Sequence, residues 1–284
     1  MSTTTSEPLR GRALFDRLWK FTFRRVVAPI CVWGPFAYFF PKIALVYAIC
    51  GIYDVSRNSP LTLSTVRRYF IGNGVLLWIL SPINVLIDLL SVPYINKGVY
   101  RLEDLPSDYQ EEVLRLIKVT KDADLVHRLE ERSKEHKRAM FFWRTYGFNV
   151  QSVVNVPAFH EPWKYIQTIG LSVFNKEVTT SAHFGWLRPT LRVLYNINDI
   201  SDRSAYIVVG NKTHYWCDDK LFIFDDTLQH LSANESDKLR YCMFVDILRP
   251  SLLPRVLTAV VALEGFISRK LKLITLSGWT LVER

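Results

Sequence analysis

Two long stretches of the chain carry almost no charge, and a later region alternates apolar and polar residues with a period of two. Val26 to Tyr53 contains Lys42 as its single charge, and Tyr69 to Tyr94 contains Asp88 alone. Each exceeds the roughly 20 apolar residues a membrane-spanning helix requires. Pro29, Pro35 and Pro41 interrupt the first run, since each removes a helix donor, and Lys42 would sit mid-span at a cost of about 3 kcal/mol. That run predicts one kinked span or two short helices forming a re-entrant or interfacial hairpin. Gly72, Gly74, Pro82 and Asn84 weaken a simple span in the second run. The competing expectation is a pair of helices buried in the core of a soluble protein.

Residues 107–145 are charged and helix-periodic, with Val113, Leu114, Leu116, Ile117, Leu125 and Leu129 leading into an amphipathic run that reaches Trp143. From about Ile166 the alternation predicts strands at IQTIGLSVF, VTTSAHFGW, LRVLYNI, AYIVVG, THYWC, LFIFDD and RYCMFVDIL. Short strands separated by polar turns, with no helices between them, predict a mainly β antiparallel sandwich or barrel. Residues 251–284 combine VLTAVVALEGFI with the cation-interrupted SRKLKLITLSGW. This segment either lies on a membrane surface or packs as a helix on the domain. The organisation read from these shifts is a basic tail over 1–25, a membrane-associated helical region over 26–95, a catalytic domain over 96–250 and a basic amphipathic helix over 251–284.

Charge sharpens this picture. The 284-residue chain has a formal net charge of +9. Residues 1–25 hold Arg10, Arg12, Arg17, Lys20, Arg24 and Arg25 against Glu7 and Asp16, a net of +4. Residues 249–284 hold Arg249, Arg255, Arg269, Lys270, Lys272 and Arg284 against Glu264 and Glu283, again +4, leaving +1 between. A nucleic-acid binder shows a basic stripe across its folded domain. Here the excess flanks apolar segments, which suits an anionic membrane surface and argues against nucleic acid. Lys and Arg on the N-terminal side and around both apolar runs place the termini in the cytoplasm. Cys31, Cys50, Cys217 and Cys242 form no Cys-x-x-Cys pair, and a reducing compartment follows. The chain carries no Walker loop, Gly-rich dinucleotide fingerprint or Gly-x-Ser-x-Gly elbow.

Of six histidines, His183 in SAHFGW and His230 in FDDTLQH each fall at a predicted strand end. Two imidazoles brought together by a barrel can hold a divalent metal with coordination positions left open. The surrounding residues narrow the choice. HFGWLRPTLRVL, YWCDDKLFIFDDTLQHLSANES and LRYCMFVDILRP resemble the aspartyl/asparaginyl β-hydroxylase family of iron(II)- and 2-oxoglutarate-dependent oxygenases. The matching positions are His183, Gly185, Arg192, Trp216, Phe224, Asp225, Asp226, His230, Arg240, Asp246 and Pro250.

The resemblance implies a double-stranded β-helix, a jelly-roll or cupin-like barrel, with flanking α-helices. It implies His183 and His230 as Fe(II) ligands and Arg240 as a bidentate fork for the distal carboxylate of 2-oxoglutarate, a geometry that suits guanidinium. Arg192 becomes a further cosubstrate contact, Trp216 a residue of the cosubstrate pocket or of the core, and Asp226 a carboxylate supporting His230 or closing a turn. Asp225 is the expected turn residue. Gly185 stands where a third, carboxylate ligand usually sits, as in members that hydroxylate aspartyl and asparaginyl residues, and Leu194 stands where the family often has a histidine. The implied reaction is hydroxylation of an unactivated C–H bond with O2, 2-oxoglutarate becoming succinate. The order of apolar segments, GIYDVSRN and then catalytic region looks like bacterial lipid hydroxylases that act on acyl chains of lipid A or ornithine lipid. A membrane lipid is therefore the expected substrate, at a bacterial inner membrane with the catalytic domain facing the cytoplasm. Hydroxylation of an Asp or Asn side chain in a protein, or a non-catalytic membrane-anchored scaffold with a degenerate barrel, are the alternatives.

Overall fold

The computed structural model describes residues 28–92, 94, 96–270 and 278–282. The expected basic tail over 1–25 and residues 271–277 of the cationic C-terminal run lie outside them.

The first apolar run forms two helices, α1 (Ala28–Phe39) and α2 (Pro41–Ser56), divided at Phe40 where Pro41 starts the second. Trp33 and Phe36 reach Tyr47 at ring distances of 6.1 and 6.3 Å, so the two helices fold back on each other. The second run begins inside α3 (Leu63–Ile71), which Thr62 caps by accepting from the Thr65 amide. Gly72 and Gly74 end that helix, and α4 (Val75–Ile79) and α5 (Ser81–Leu90) follow, with Pro82 in the first turn of α5. No described helix is long and apolar enough to cross a membrane. The expected pair of buried core helices is not found either, because Tyr38, Phe39, Leu45, Ile49, Ile52, Leu86 and Leu89 are all exposed.

Next come β1 (Val99–Tyr100) and the amphipathic pair α6 (Ser107–Asp122) and α7 (Leu125–Lys134), whose buried faces include Val113, Leu116, Leu125 and Leu129. The predicted helical run to Trp143 is corrected here. Arg138–Thr145 forms strand β2, because its aromatic and apolar side chains are buried against a neighbouring strand. The remaining strands are β3 (Phe148–Asn149), β4 (Ile166–Phe174), β5 (Val178–Thr179), β6 (Thr190–Asn196), β7 (Ala205–Val209), β8 (Lys212–Tyr215), β9 (Leu221–Phe224), β10 (His230–Asn234), β11 (Arg240–Leu248) and β12 (Thr280–Leu281).

Among the described residues the strands make two sheets. One runs β1-β9-β6-β11-β4-β2-β12 with β3 on β2, and the other runs β5-β10-β7-β8. Pairing is antiparallel except for β12 on β2. β4 and β11 are central and almost wholly buried, as their near-continuous apolar sequences require. Leu194, Phe222, Phe224 and Cys242 of the large sheet pack with Ala205, Ile207 and Val209 of the small one, so the two sheets share a core. After β11, α8 (Pro254–Lys270) returns over the large sheet, burying Leu257 and Val261. The C-terminal segment is thus a packed helix followed by an added strand, and its opposite face leaves Leu263, Phe266 and Ile267 exposed.

The helical region and the β-rich region, expected as separate units, are joined by buried charge. Arg188 donates to Asp54 of α2 and Asp88 of α5, and Arg57 and Arg249 both donate to Asp225. Three arginines and three aspartates cancel within a largely buried cluster. The lone charge of the second apolar run, Asp88, is one of the six.

Candidate active site

The register brings His183 and His230 together. Each donates its amide to the other's carbonyl, at 3.0 and 2.9 Å, forming an antiparallel bridge. Residues directly opposite in such a pair point to one face, and the two rings lie 4.2 Å apart between centroids. Both rings are oriented from behind. His183 Nδ1 faces the Ser181 carbonyl at 2.8 Å, and His230 Nδ1 faces the Leu228 carbonyl at 2.8 Å. A carbonyl can only accept, so each Nδ1 carries a proton, and in a neutral ring the acceptor is then Nε2. Burial and the neighbouring His183 lower the His230 pKa to about 4 against the pull of Asp226, so this imidazole is neutral near pH 7.

Asp226 stands beside this pair. Its Oδ1 lies 3.3 Å from His230 Nε2 and makes no hydrogen bond. Arg192 Nη1 lies 3.2 Å from the same oxygen, so this carboxylate already faces a guanidinium, and a metal at the histidine pair would be a second cation beside it. Gly185 is what admits this carboxylate. A methyl at 185 would come within 2.8 Å of Asp226 Cγ and overlap its Oδ2. The space a side chain at 185 would take is therefore filled by Asp226, from the loop between β9 and β10. Gly185→Ala is expected to push Asp226 away from His230 and to weaken divalent-metal binding about tenfold or more. Titration with Co(II), read by its visible absorption, checks this.

Arg240 lies on the same cavity wall and is 2% exposed. Its Nη1 donates to Ser232 Oγ at 2.8 Å and to the Ala233 carbonyl at 3.3 Å, while its Nε has no partner. The guanidinium packs on the Phe174 ring at 3.9 Å, and among the described residues no carboxylate pairs with it. Burial alone lowers its pKa to about 10, so the cation persists without a counter-ion. A buried cation in this state calls for an anionic ligand.

Arg192 also lines the cavity, but its charge is already matched. Its Nε donates to Asp246 at 2.6 Å and its Nη2 to Asp226 at 3.2 Å. Burial opposes its charge, and those two carboxylates outweigh burial and raise its pKa. Arg192, expected as a cosubstrate contact, thus lines the cavity while tied to Asp226 and Asp246. Trp216, expected at the cosubstrate, is buried behind Arg240 with its ring 5.7 Å from the guanidinium carbon, and it does not line the cavity. Leu194, in place of the histidine common in the family pattern, does line it. Asp225, expected only as a turn residue, does accept the Thr227 amide at 2.9 Å, yet it is fully buried and also takes Arg57 and Arg249.

The cavity that holds these groups has a volume of about 670 Å³. Met140, Phe142, Phe184, Phe244 and Val261 supply apolar wall. Glu264 of α8 lies on the wall too, its carboxyl raised to about 7 by burial and by Asp246 and Asp226. Sequence reasoning did not single out Glu264, and a glutamate in an otherwise apolar helix run was its only signal.

A family model described as aspartyl/asparaginyl beta-hydroxylase matches residues 108–250. An ornithine lipid ester-linked acyl 2-hydroxylase from Rhizobium tropici is 34% identical over 119 residues, covering 38% of this chain and 42% of that protein. The chain thus spans less than half the length of this curated relative. Among solved structures, a 2OG-Fe(II) oxygenase family oxidoreductase from Burkholderia pseudomallei aligns with 12% identity and a TM-score of 0.26, over 31% of this chain and 44% of that one. A salicylate 1,2-dioxygenase from Pseudaminobacter salicylatoxidans aligns with 10% identity and a TM-score of 0.27, over 58% and 39%. Structural likenesses this weak carry no argument. The family match spans half of the chain and contains His183, Gly185, Asp226, His230 and Arg240, and the chain belongs to the aspartyl/asparaginyl β-hydroxylase family.

Proposed function

We propose that this protein is a membrane-associated hydroxylase that uses Fe(II), 2-oxoglutarate and O2 to hydroxylate an acyl chain of a membrane lipid of the lipid A or ornithine-lipid type. The observation that carries the reading is one cavity lined by two imidazoles whose Nδ1 atoms are held by backbone carbonyls, a carboxylate beside them and a buried arginine with no carboxylate partner among the described residues. The donor set fits a divalent metal: His183 and His230 would hold it, next to Asp226. Iron bound there supplies oxygen activation coupled to decarboxylation of the 2-oxo acid. Arg240 is suited to grip the distal carboxylate through its unpartnered edge, with Ser232 fixing its plane. Arg192, tied to Asp246, holds Asp226 in place, and Met140, Phe142, Phe184 and Phe244 exclude water and accept methylenes.

The lipid substrate rests on the acyl 2-hydroxylase relative and on where apolar surface lies. Two helices bordering the site, α5 and α8, turn rows of large apolar residues outward: Leu86 and Leu89 on α5, and Val256, Leu263, Phe266 and Ile267 on α8. The Leu252 amide donates to the Leu90 carbonyl at 3.0 Å, so these rows adjoin around exposed Leu252 and Leu253. Arg255, Arg269 and Lys270 supply cations on α8, each worth about 1 kcal/mol near an anionic leaflet. A bilayer covering this surface would deliver an acyl chain to the cavity walls without passage through water. Fe(II) and the thiols of Cys50, Cys217 and Cys242 suit the cytoplasmic face of a bacterial inner membrane.

Leu263→Asp with Phe266→Asp is expected to reduce cosedimentation with anionic vesicles at least tenfold, since burying each side chain contributes about 2 kcal/mol. Undiminished binding removes α8 from the docking surface. The substrate is tested by mass spectrometry of total lipids from cells with and without the gene. A lipid gaining one oxygen atom only when the gene is present supports the reading. Oxygen gained by Asp or Asn in a protein, with lipids unchanged, replaces it with peptide hydroxylation.

A further inference from the structure

Both loops that carry the candidate metal ligands are held from outside the β-sheets, by the amino-terminal helices. The loop from Ala182 to Arg188 contains His183. Asn84 of α5 donates to the Trp186 carbonyl at 3.1 Å and accepts the Arg188 amide at 3.0 Å, bridging that loop with one side chain. Asn84 is fully buried. The Ala182 carbonyl accepts from Asn73 at 2.8 Å and from Arg68 at 3.3 Å. The loop from Asp225 to His230 is held in the same manner. Asn58 accepts the Gln229 amide at 2.8 Å, Thr65 of α3 donates to Gln229 Oε1 at 3.0 Å, and Arg57 donates to Asp225 and to Thr227 Oγ1 at 3.3 Å.

A polar side chain is buried at a cost unless its partners are in place, and Asn58, Thr65 and Asn84 are all buried facing these loops. Every one of these residues precedes position 108, where the family match begins. The family's matched segment thus supplies the two imidazoles, and this chain's amino-terminal helices supply what holds their loops.

We infer that α3, α5 and the turn after α2 form a clamp on the metal site, with Asn84 positioning the His183 loop and Asn58 positioning the His230 loop. The clamp acts by holding both loops against the helical side of the domain, adding to the direct ties between them: the His183–His230 bridge, the Gly185 amide on the Asp226 carbonyl at 2.8 Å and the Thr180 amide on the Ser232 carbonyl at 2.9 Å. The inference builds on the metal-site reading above. Outer hydrogen bonds that orient ligands commonly contribute about 10- to 100-fold to metal affinity.

Full-length Asn84→Ala and Asn58→Ala are compared with Ile87→Val, a buried change on α5 that touches neither loop. Co(II) affinity is measured by titration, and amide hydrogen exchange is measured on the metal-free proteins. The expected result is a Co(II) affinity at least tenfold lower in both asparagine variants and unchanged in Ile87→Val. Exchange should quicken over 182–188 in Asn84→Ala and over 225–230 in Asn58→Ala, with β4 and β11 still protected. Unchanged affinity in the asparagine variants, or an equal loss in Ile87→Val, overturns the inference. Should the wild type bind no Co(II), the metal-site reading fails and the exchange pattern still decides. Loop-specific quickening then supports the clamp, and uniform or absent quickening overturns it.

Discussion

Arg240→Met is expected to abolish 2-oxoglutarate binding while raising the melting temperature of the ligand-free protein. The two effects have one origin. Arg240 is buried with its Nε unpartnered and no carboxylate ion pair among the described residues, and burial depresses its pKa to about 10. An uncompensated buried charge costs several kcal/mol. It is offset here only in part by hydrogen bonds to Ser232 and Ala233 and by the Phe174 ring. Methionine fills similar volume without charge. A net gain of about 1 kcal/mol would raise the melting temperature by roughly 2–4 °C. Loss of a buried charged partner costs a ligand about 2–5 kcal/mol, at least a 30-fold drop in affinity. Calorimetric titration and thermal melting check both. A lower melting temperature with cosubstrate binding intact would remove Arg240 from this role.

Asp225→Asn should have the opposite balance, with severe loss of stability. Asp225 takes Arg249 at 2.7 Å and Arg57, and Arg188 lies 3.8 Å away. Burial opposes its charge, yet those three arginines outweigh burial and hold its carboxyl well below the usual carboxylate range. Asparagine leaves three buried cations facing two carboxylates, and breaking such a set by removing one partner costs about 3–5 kcal/mol. Against a total stability of roughly 5–15 kcal/mol that is a large share. The pH dependence follows from the sign of the shift. A carboxyl lowered in the folded state contributes stability that is fully present above its unfolded pKa of about 4 and is lost as pH falls below it. The wild type should therefore lose stability steeply on acidification below about pH 4, and Asp225→Asn should show a shallower fall from a lower plateau. Urea melts across that range decide it, and parallel curves would mean that Asp225 is not the centre of the network.

The strands with the clearest patterns were legible in the sequence. IQTIGLSVF and RYCMFVDIL coincide with β4 and β11, residue for residue. RAMFFWRT was not, because apolar side chains on both faces erase the period that separates a strand from a buried helix. VTTSAHFGW yields only the two-residue β5 and the bridge at His183. HLSAN, β10, is too polar and short to stand out, although it begins at a candidate ligand. At the site, the motif located His183, Asp226, His230 and Arg240 in one cavity wall. It did not separate Arg192, matched by two aspartates, from Arg240, matched by none, because that difference depends on which strands lie opposite. Asp54 and Asp88 read as isolated charges beside or within apolar runs, and only the folded chain supplies Arg188 between them. A single charge in an apolar run was therefore a trace of buried pairing as much as of a membrane.

The most direct test of the oxygenase reading is anaerobic titration of purified full-length protein with Fe(II) and 2-oxoglutarate, followed by the metal-to-ligand absorption band that a chelated 2-oxo acid produces. Wild type is expected to show the band, His183→Ala and His230→Ala to lose it through lost metal, and Arg240→Met to lose it through lost cosubstrate with metal binding retained. Absence of the band in the wild type, or its persistence in all three variants, would contradict the assignment of this cavity as an Fe(II)/2-oxoglutarate site.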